Sequence, residues 1–379
     1  MTGPDVTRTL GVGIVGLSAS GGWAAGAHVP ALAAVPGYEL RALSASSADT
    51  ARVAGERHGV GRTFGSAAEL AACEDVDLVV VTVQAARHRE LVLPALEAGK
   101  AVYCEWPLAT SEEEAAELTD LAAARRVRTA VGLQARSSPT IRYVRDLVAD
   151  GWLGEVLSTS VVASGMSWGA EYDPRTSYLL DRTGGSTMLA IPFGHLVDAL
   201  CACLGEFTEV SALSAVRRPE VREAGTGARA AMTSEDQVAV HGLLESGAVA
   251  SLHFRGGRSH GTNLHWEING TEGDLIVSGP HGHLQLAPVA LRGARAGEEL
   301  HELTVPARYF TVAGFRERAG HPAANLAAAY ATLRAELDGV PVEPKDAVPD
   351  FAHGRRRHRL LDVITRSAAT GRRLRMDED

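Results

Sequence analysis

The sequence contains few residues of the kinds that mark a disulfide-rich, metal-binding or nucleic-acid-binding protein. Its 379 residues include four cysteines, 5% aromatic residues and a formal net charge of −9. Cys73, Cys104, Cys201 and Cys203 follow neither a disulfide nor a zinc spacing pattern, so we expect reduced core residues in a cytoplasmic protein. The negative charge argues against a nucleic-acid-binding surface, and we expect no nucleic-acid partner.

Two further absences concern membranes. The first residues, MTGPDVTRTL, have no apolar run before the first predicted strand and do not resemble a secretory signal. No stretch approaches the roughly 20 apolar residues of a membrane span, so we expect no membrane association. The length predicts two domains, and the content of 45% hydrophobic and 22% charged residues is typical of folded globular chains.

A glycine-rich turn near the amino terminus is the first functional signal. An apolar run from Leu10 predicts a buried parallel strand, and an Ala-rich segment that can be helical follows the turn. Such a layout binds a pyrophosphate, because glycine allows backbone N–H groups to approach it and the helix start adds a positive dipole end. The turn contains Gly16, Ser18, Gly21 and Gly22. Ser18 replaces the middle glycine of the Gly-x-Gly-x-x-Gly fingerprint, so a flexible turn without a ligand is the alternative.

Strands and helices alternate over the first third of the chain. Strands are predicted at Leu10–Val15, Glu39–Ser44, near Phe64, and at Asp77–Val83, Ala101–Cys104 and Val127–Leu133. Helices are predicted at Ala24–Val35, Ala48–His58 and Arg87–Ala98. The strand after Asp77 lacks polar alternation, which indicates that both its faces are covered. We therefore predict an α/β fold in which residues 1–133 form a doubly wound parallel Rossmann sheet that binds a dinucleotide.

The end of the second strand bears on the choice of cofactor. A carboxylate usually accepts from the ribose 2′-hydroxyl of NAD there, but this chain has Ser44, Ser46 and Ser47, and Asp49 comes late. Hydroxyl groups tolerate a 2′-phosphate, and Arg52 follows one helical turn later. We predict NADP, with NAD as the alternative. Ser46 or Ser47 acting only as a helix cap is the competing interpretation.

Residues 134–379 are predicted to form a second, α+β domain for substrate binding and oligomerisation. Strands are predicted at Glu155–Ser164, Glu206–Val216, Ser234–Leu244, Ala248–Arg255, Asn263–Asn269 and Glu272–Ser278, and helices at Pro139–Ala149, Pro192–Leu204, Pro322–Leu337 and Asp350–Thr370. Alternating polarity and short turns indicate a large open, mostly antiparallel sheet. An uncovered sheet face favours a homodimer or homotetramer. The Gly- and Arg-rich segment Arg217–Ala231 is predicted to be a mobile loop.

Four segments together resemble the Gfo/Idh/MocA oxidoreductase family. They are Gly13–Leu32, Asp77–His88, Ala98–Leu108 and Gly184–Leu200. The resemblance implies a Rossmann domain joined to an open-sheet domain, a nicotinamide dinucleotide and a sugar-like or polyhydroxylated substrate. It implies cofactor contacts in the glycine turn and its Trp23, and in the loops that follow the later strands. Those loop residues are Val83, Gln84, His88, Glu105, Trp106 and Gln134.

Val83 replaces a usual proline of the family and Gln84 a usual asparagine, but two other departures from the family pattern matter more. The family's Glu-Lys-Pro is Glu105-Trp106-Pro107 here, and the aspartate four residues before the family's histidine is Ile191. His195 remains and is the predicted proton-handling catalytic residue, because its ordinary pKa lies near neutrality. Indole has no titratable proton, so Tyr178 is the candidate replacement acid.

The other residues predicted to contact substrate are chosen because of their place in the predicted fold or because they carry an aromatic ring. They are Trp106, Arg136, Trp168, Tyr172, His195 and Asp198. Aromatic faces can stack on a sugar ring, although gap filling is the alternative for Trp106. His281 and His283 are interpreted as turn histidines, and no metal is expected.

The altered pocket leaves two hypotheses open. The glycine turn and Val131–Pro139 are similar to a galactose/lactose regulatory branch of the family, whose fungal member is a corepressor that retains a dinucleotide site. The first hypothesis is an NAD(P)-dependent oxidoreductase with a non-standard active site. The alternative is an inactive dinucleotide-sensing protein that binds a partner.

Overall fold

The computed structural model describes residues 8–315 and 320–377. The nine α-helices within this part are α1 Val29–Ala34, α2 Ala48–His58, α3 Ala67–Ala71, α4 His88–Glu97, α5 Glu112–Arg125, α6 Pro139–Ala149, α7 Gly194–Leu204, α8 Pro322–Leu337 and α9 Phe351–Thr370. The strands are β1 Leu10–Val15, β2 Tyr38–Ser44, β3 Arg62–Phe64, β4 Leu78–Val81, β5 Ala101–Glu105, β6 Thr129–Gly132, β7 Val156–Ser164, β8 Glu171–Tyr172, β9 Phe207–Ala215, β10 Glu220–Glu223, β11 Arg229–Ala231, β12 Gln237–Leu244, β13 Val249–Arg255, β14 Leu264–Gly270, β15 Gly273–Gly279, β16 Ala290–Arg295, β17 His301–Glu302 and β18 Leu374–Arg375.

The chain divides into two compact units. The first contains the described residues up to Leu133 together with Thr311–Arg355, and the second contains Gln134–Phe310 and the described residues from Arg356 onward. The sequence prediction assigned everything after residue 133 to the second domain. The difference arises because α8 buries Leu326, Tyr330 and Leu333 in the same hydrophobic core as β1 and α1.

The first unit is built on a six-stranded parallel sheet in the order β3-β2-β1-β4-β5-β6. All four residues of β4 are buried, as the missing polar alternation predicts for a strand covered on both faces. This is the strand order of a doubly wound Rossmann fold, in which successive strands are added on one side of β1 up to β3 and on its other side from β4 onward. The predicted fold class is confirmed. Ligands in such sheets bind outside the carboxyl ends of the strands where this order reverses, between β1 and β4.

The second unit contains a nine-stranded sheet in the order β17-β16-β15-β14-β7-β13-β12-β9-β18. Its pairs are antiparallel except for β13 and β7, which run parallel. One row across its centre joins Leu213, Ala239, His253, Val162 and His265. Leu213 is 61% exposed and Val162 is 36% exposed. The row therefore lies on the open face of this sheet.

The predicted mobile loop at residues 217–231 is wrong, because this segment contains paired strands. β10 and β11 are antiparallel neighbours in a three-stranded sheet with β8. Gly225 and Gly227 have φ values of 89° and 72° in the tight turn between them. Val221 is buried and anchors β10. Glycine here serves a hairpin turn, which composition alone did not distinguish from a loop.

The helix that carries His195 begins earlier than predicted. A π-helical turn, Leu189–Phe193, precedes α7 and contains Pro192. The segment Arg182–Leu204 has 23 residues and is long and apolar enough to cross a membrane, a feature that the sequence analysis does not predict. Of its most apolar window, 78% is buried, as in the core helix of a folded domain.

Candidate functional site

The glycine turn after β1 has the backbone that phosphate binding requires. Gly16, Gly21 and Gly22 have φ values of 96°, 98° and 107°, where side chains are disfavoured. A Cβ on Gly16 would lie 2.6 Å from Cγ1 of Val83, so a close approach also requires glycine there. A Cβ on Gly21 or Gly22 would have no atom of the described residues within 4 Å. The turn is thus packed at its first glycine and open at its last two.

Ser18 supports the turn from within. Its hydroxyl accepts from the Ser20 backbone N–H at 3.2 Å and lies 2.9 Å from the Ser20 hydroxyl. The Ser18 carbonyl accepts from the Gly21 N–H at 3.3 Å and lies 3.0 Å from Nε2 of His58. A serine at the middle position is therefore compatible with an ordered turn.

A cavity of about 700 Å³ opens beside this turn, a volume in the range of small-molecule sites. It lies where β1, β2 and β4 end, at the reversal of strand order. Its lining residues are Val15, Gly16, Leu17, Ser18, Ala19, Ser20, Ser44, Ala45, Ser46, Asp49, Thr50, Val53, Gly65, Ser66, Ala67, Val83, Arg87 and Leu91. Five predicted cofactor residues are thus brought together: Gly16, Ser18, Ser44, Ser46 and Val83.

The predicted 2′-phosphate contact by Arg52 is not supported by its position. Arg52 is exposed, pairs with Glu56 at 2.6 Å and is not among the residues that line this cavity. Ser47 caps α2, accepting from the Thr50 N–H and forming a capping box, as the competing interpretation held. Asp49, which the sequence analysis set aside as late, does line the cavity. Its carboxylate disfavours a second negative charge nearby.

His88 joins two loops in the first unit. Its Nδ1 lies 2.8 Å from the Pro107 carbonyl and its Nε2 lies 2.9 Å from the Val83 carbonyl. Burial lowers the pKa of His88, while the two carbonyl groups oppose that shift. Neighbouring Gln84 is exposed at the start of a short helical turn and makes no capping bond there. His88 therefore positions the loop that carries Val83.

Glu105 belongs to a buried polar chain that sequence reasoning missed. Its Oε1 lies 3.0 Å from Nε2 of His28, whose Nδ1 lies 2.7 Å from the Tyr330 hydroxyl. A Cβ on Gly132 would lie 2.6 Å from Glu105 Oε1, so the carboxylate is closely packed. Burial raises the pKa of Tyr330 well above its usual value, so the phenol stays protonated. The chain links α8 to the Rossmann sheet.

The two tryptophans of the first unit are largely enclosed. Trp106 is 4% exposed, in the segment after β5. Trp23 packs edge-on to His28, with ring centroids 6.3 Å apart. Its buried indole Nε1 has no hydrogen-bond partner among residues 8–315 and 320–377. Neither Trp23 nor Trp106 lines the cavity beside the glycine turn.

In the second unit, His195 is the second residue of α7 and is 3% exposed. His283 lies close enough that charge on His195 and His281 lowers its pKa, after burial as the main cause, to about 3. The rings of His281 and His283 are 5.9 Å apart. Sequence analysis treated these as turn histidines, because nothing in the spacing indicated that the β15–β16 loop lies near α7.

The predicted substrate residues Arg136 and Asp198 instead pair with each other inside the second unit. Asp198 is completely buried and accepts from Nε of Arg136 at 2.9 Å. Its other oxygen lies 3.3 Å from Nε of buried Arg357, which also pairs with Glu206. We correct the assignment of Asp198, because a carboxylate between two guanidinium groups joins α7, α9 and the turn at Arg136 and is not exposed to a ligand.

Gln134 begins the second unit and is 2% exposed. Neither its side-chain oxygen nor its nitrogen has a hydrogen-bond partner within the part of the chain that the structure describes. Buried amides normally satisfy both groups, so this side chain stays a candidate for ligand contact.

The aromatic candidates after β7 differ in accessibility. Trp168 is 3% exposed and its indole N–H donates to the Leu179 carbonyl at 2.9 Å, so its contacts are within the protein. The Tyr172 hydroxyl lies 3.4 Å from a Glu223 carboxylate oxygen. Tyr178 is half-buried, and burial raises the pKa of its phenol. A phenol with a raised pKa can donate a hydrogen bond at neutral pH but is a weaker acid than an ordinary tyrosine.

Cysteine and histidine side chains are the ligands that a zinc site would need. Over residues 8–315 and 320–377, no group of three His, Cys, Asp or Glu side chains is placed to hold a metal ion. All four cysteines are free and buried, which confirms their prediction as core residues.

Two family models match the chain. Residues 10–133 match an oxidoreductase family with an NAD-binding Rossmann fold, and residues 139–279 match the C-terminal domain of Gal80p. The two matches meet close to the boundary between the Rossmann sheet and the nine-stranded sheet.

Among curated proteins, the dehydrogenase AclE of Aspergillus oryzae is 33% identical over 307 residues, which cover 78% of this chain and 83% of that protein. The galactose/lactose metabolism regulatory protein GAL80 of Saccharomyces cerevisiae is 30% identical over 309 residues, covering 76% and 71%. One relative is thus named as an enzyme and the other as a regulator.

Among solved structures, a super-repressor mutant of the same yeast Gal80p has a TM-score of 0.88 at 24% identity, covering 98% of this chain and all of that one. A levoglucosan dehydrogenase in complex with NADH and L-sorbose has a TM-score of 0.81 at 22% identity, covering 98% and 100%. At these identities the likeness shows the shared fold.

Proposed function

Because the chain belongs to the Gfo/Idh/MocA oxidoreductase family, we propose that it is a nicotinamide-dependent oxidoreductase acting on an uncharged, sugar-like small molecule. The observation that carries this proposal is the cavity beside a glycine turn with three positive-φ glycines. Glycines whose Cβ positions open onto free space leave room for a pyrophosphate, so the residues fit the cofactor.

Gly16, Ser18, Gly21 and Gly22 would hold the pyrophosphate, and Ser44 and Ser46 the adenosine ribose. A bound nicotinamide supplies hydride transfer. The cofactor we favour is NAD, the alternative in the sequence analysis, because Asp49 lines the cavity and Arg52 does not. A carboxylate accepts from a 2′-hydroxyl and repels a 2′-phosphate.

His195 is the residue we assign to the substrate proton, which must leave or join the hydroxyl oxygen when hydride is exchanged. Its imidazole ring nitrogens are groups that can accept a proton and return it. Tyr178 with its raised pKa serves as a hydrogen-bond donor, in place of the family lysine that Trp106 replaces. Charge on the substrate oxygen would then be met by a phenol and not by an ammonium group.

The test begins with the cofactor and then turns to catalysis. Calorimetry with NADH should give a dissociation constant below that for NADPH, and a panel of sugars should be oxidised with a change in nicotinamide absorbance. His195→Asn should lower turnover about 10²- to 10⁴-fold while NADH affinity stays within twofold. Exposed His301→Asn is the matched control. Unchanged turnover in His195→Asn would remove this residue from the mechanism.

A dinucleotide-sensing regulator is the second candidate, favoured by Trp106 and Ile191 in place of titratable residues and by the similarity to GAL80. For a sensor, NADH binds but no sugar in the panel is turned over, and binding changes the affinity for a protein partner. The double variant Trp106→Lys/Ile191→Asp separates the candidates, since gain of sugar dehydrogenase activity would indicate an otherwise intact pocket.

The proposal also covers the oligomeric state of the protein and its cellular compartment. The exposed row Leu213, Ala239, His253, Val162 and His265 is the surface on which a second copy would pack, in a homodimer or homotetramer. Light scattering should give a dimer or tetramer mass, and Leu213→Glu should lower it. Cytoplasmic location is proposed from the free thiols and is testable by cell fractionation.

A further inference from the structure

The β15–β16 loop brings buried polar side chains to the neighbourhood of His195. Within residues 280–289, His281 is 9% exposed, His283 is 7% exposed and Gln285 is 4% exposed. Such burial is unusual for loop residues, which normally lie at the surface.

The loop is held in place by backbone packing. The Gly282 N–H donates to the Ser164 carbonyl at 2.9 Å, at the end of β7. A Cβ on Gly282 would lie 3.1 Å from the Phe254 ring, and Phe254 packs edge-on to Phe193 at 5.5 Å between centroids. Phe193 is two residues before His195, so the loop and the residue that precedes α7 both pack against Phe254.

Three side-chain polar atoms of this loop have no partner within the described residues. Nδ1 of His281, Nδ1 of His283 and Oε1 of Gln285 are buried and have no hydrogen-bond partner in the described part of the chain. A buried polar atom without a partner destabilises a fold, so each of these atoms calls for a partner from outside the chain, such as a ligand or an ordered water.

The chemistry of this set is neutral. Burial, His195 and His281 lower the pKa of His283 to about 3, and burial followed by Arg258 lowers that of His281. Both rings are therefore uncharged at neutral pH, and Gln285 carries no charge at any pH. Imidazole and amide groups offer donors and acceptors suited to hydroxyl groups, and none of these three side chains itself carries the positive charge that a carboxylate or phosphate ligand prefers.

We propose that His281, His283 and Gln285 form, together with His195, the site that binds the hydroxyl groups of an uncharged polyhydroxylated substrate. The loop is then the element that determines substrate specificity, and His195 is the group at the reacting hydroxyl. This inference rests on the proposed oxidoreductase function and specifies which side chains recognise the substrate and which substrates they reject.

The experiment measures probe binding separately from turnover. Levoglucosan, L-sorbose and myo-inositol serve as uncharged probes and D-gluconate as an anionic probe, each titrated calorimetrically into the full-length protein saturated with NADH. At least one uncharged probe should bind, and D-gluconate should bind at least tenfold more weakly. Binding of NADH without any uncharged probe overturns this inference alone, whereas failure of NADH to bind overturns the proposed function.

Variants then assign the binding to this loop. Gln285→Leu and His283→Phe remove the unpartnered atoms at similar volume, so probe affinity should fall at least tenfold while the melting temperature is unchanged or raised. His283→Asn, which keeps a polar atom near the Nδ1 position, should retain probe affinity within about threefold. His301→Phe, an exposed histidine of the same unit, should change neither quantity.

Two results would overturn the assignment. One is probe affinity within twofold of the unaltered protein in both Gln285→Leu and His283→Phe. The other is a melting temperature that falls in all three loop variants, including His283→Asn, because the loop polar groups would then serve the fold.

Discussion

The glycine-turn cavity of the first unit and the His195 neighbourhood of the second are constructed in different ways. The cavity is formed mainly by backbone conformation and small side chains at the ends of three consecutive sheet neighbours. The His195 neighbourhood is formed by imidazole and amide side chains from a helix and a distant loop. We call the cavity the backbone site and the His195 neighbourhood the side-chain site. A site formed by backbone tolerates substitution at most of its positions, whereas a site formed by side chains changes its chemistry with each substitution. This difference explains how the family's dinucleotide turn persists here beside an altered catalytic set.

The largest expected effect tests whether Asp198 belongs to the fold or to the substrate site. Asp198→Ala leaves Arg357, which is completely buried, without one of its carboxylates, and breaking a buried pair costs about 3–5 kcal/mol. We expect this loss in urea unfolding of the second unit. A loss below about 1 kcal/mol with impaired substrate binding would return Asp198 to the substrate site.

A second prediction concerns the backbone site. Gly16→Ala places a Cβ at a φ of 96° and 2.6 Å from Val83, and such strain costs about 1–3 kcal/mol. NADH affinity should fall at least tenfold in calorimetry. Gly26→Ala is the control, since a Cβ there meets no described atom within 4 Å and its φ is not positive. Equal effects in both variants would contradict the role of Gly16.

A third prediction concerns the pH dependence of the side-chain site. The folded pKa of His283, about 3, is lower than its unfolded value near 6.5, so the unfolded chain binds more protons between these values. Its stabilising contribution is present above about pH 6.5 and is lost as pH falls toward 3. Urea unfolding at pH 7, 5.5 and 4.5 should show this decline, and His283→Gln should make it shallower. An identical slope in the variant would contradict burial of a neutral imidazole.

A smaller effect is expected for the choice between NAD and NADP. Asp49→Asn removes a negative charge from the cavity, which is worth about 1 kcal/mol at a few ångströms in water, or about fivefold in affinity. NADPH should gain affinity and NADH should not. A gain for both cofactors alike would contradict discrimination by this carboxylate.

The smallest effect is expected for Arg52→Ala, because an exposed helical ion pair contributes about 0.3–0.5 kcal/mol. NADPH affinity should stay within twofold, measured by the same calorimetry. A large loss would restore the 2′-phosphate role that the sequence analysis predicted for Arg52.

Local sequence signals predicted the glycine turn beside the first strand but gave no indication of which residues surround His195. The glycine turn and the strand that precedes it were readable from glycine spacing and an apolar run, and the predicted Rossmann fold is confirmed. Ser47 and Arg52 were misleading because capping and i,i+4 pairing use the same residue types as ribose recognition. Trp168 satisfied the pattern of an exposed loop aromatic, but its indole is used inside the second unit.

The sequence by itself determined which elements form, since hydrophobic periodicity and turn residues act over a few positions. It determined the strand–turn–helix that suits a pyrophosphate. It also showed that Trp106 and Ile191 stand where the family pattern has lysine and aspartate. Only the tertiary structure decided that α8 completes the core of the Rossmann unit, that Asp198 pairs with two arginines and that His283 lies near His195. Those facts depend on contacts between residues far apart in the chain, about which local propensities carry no information.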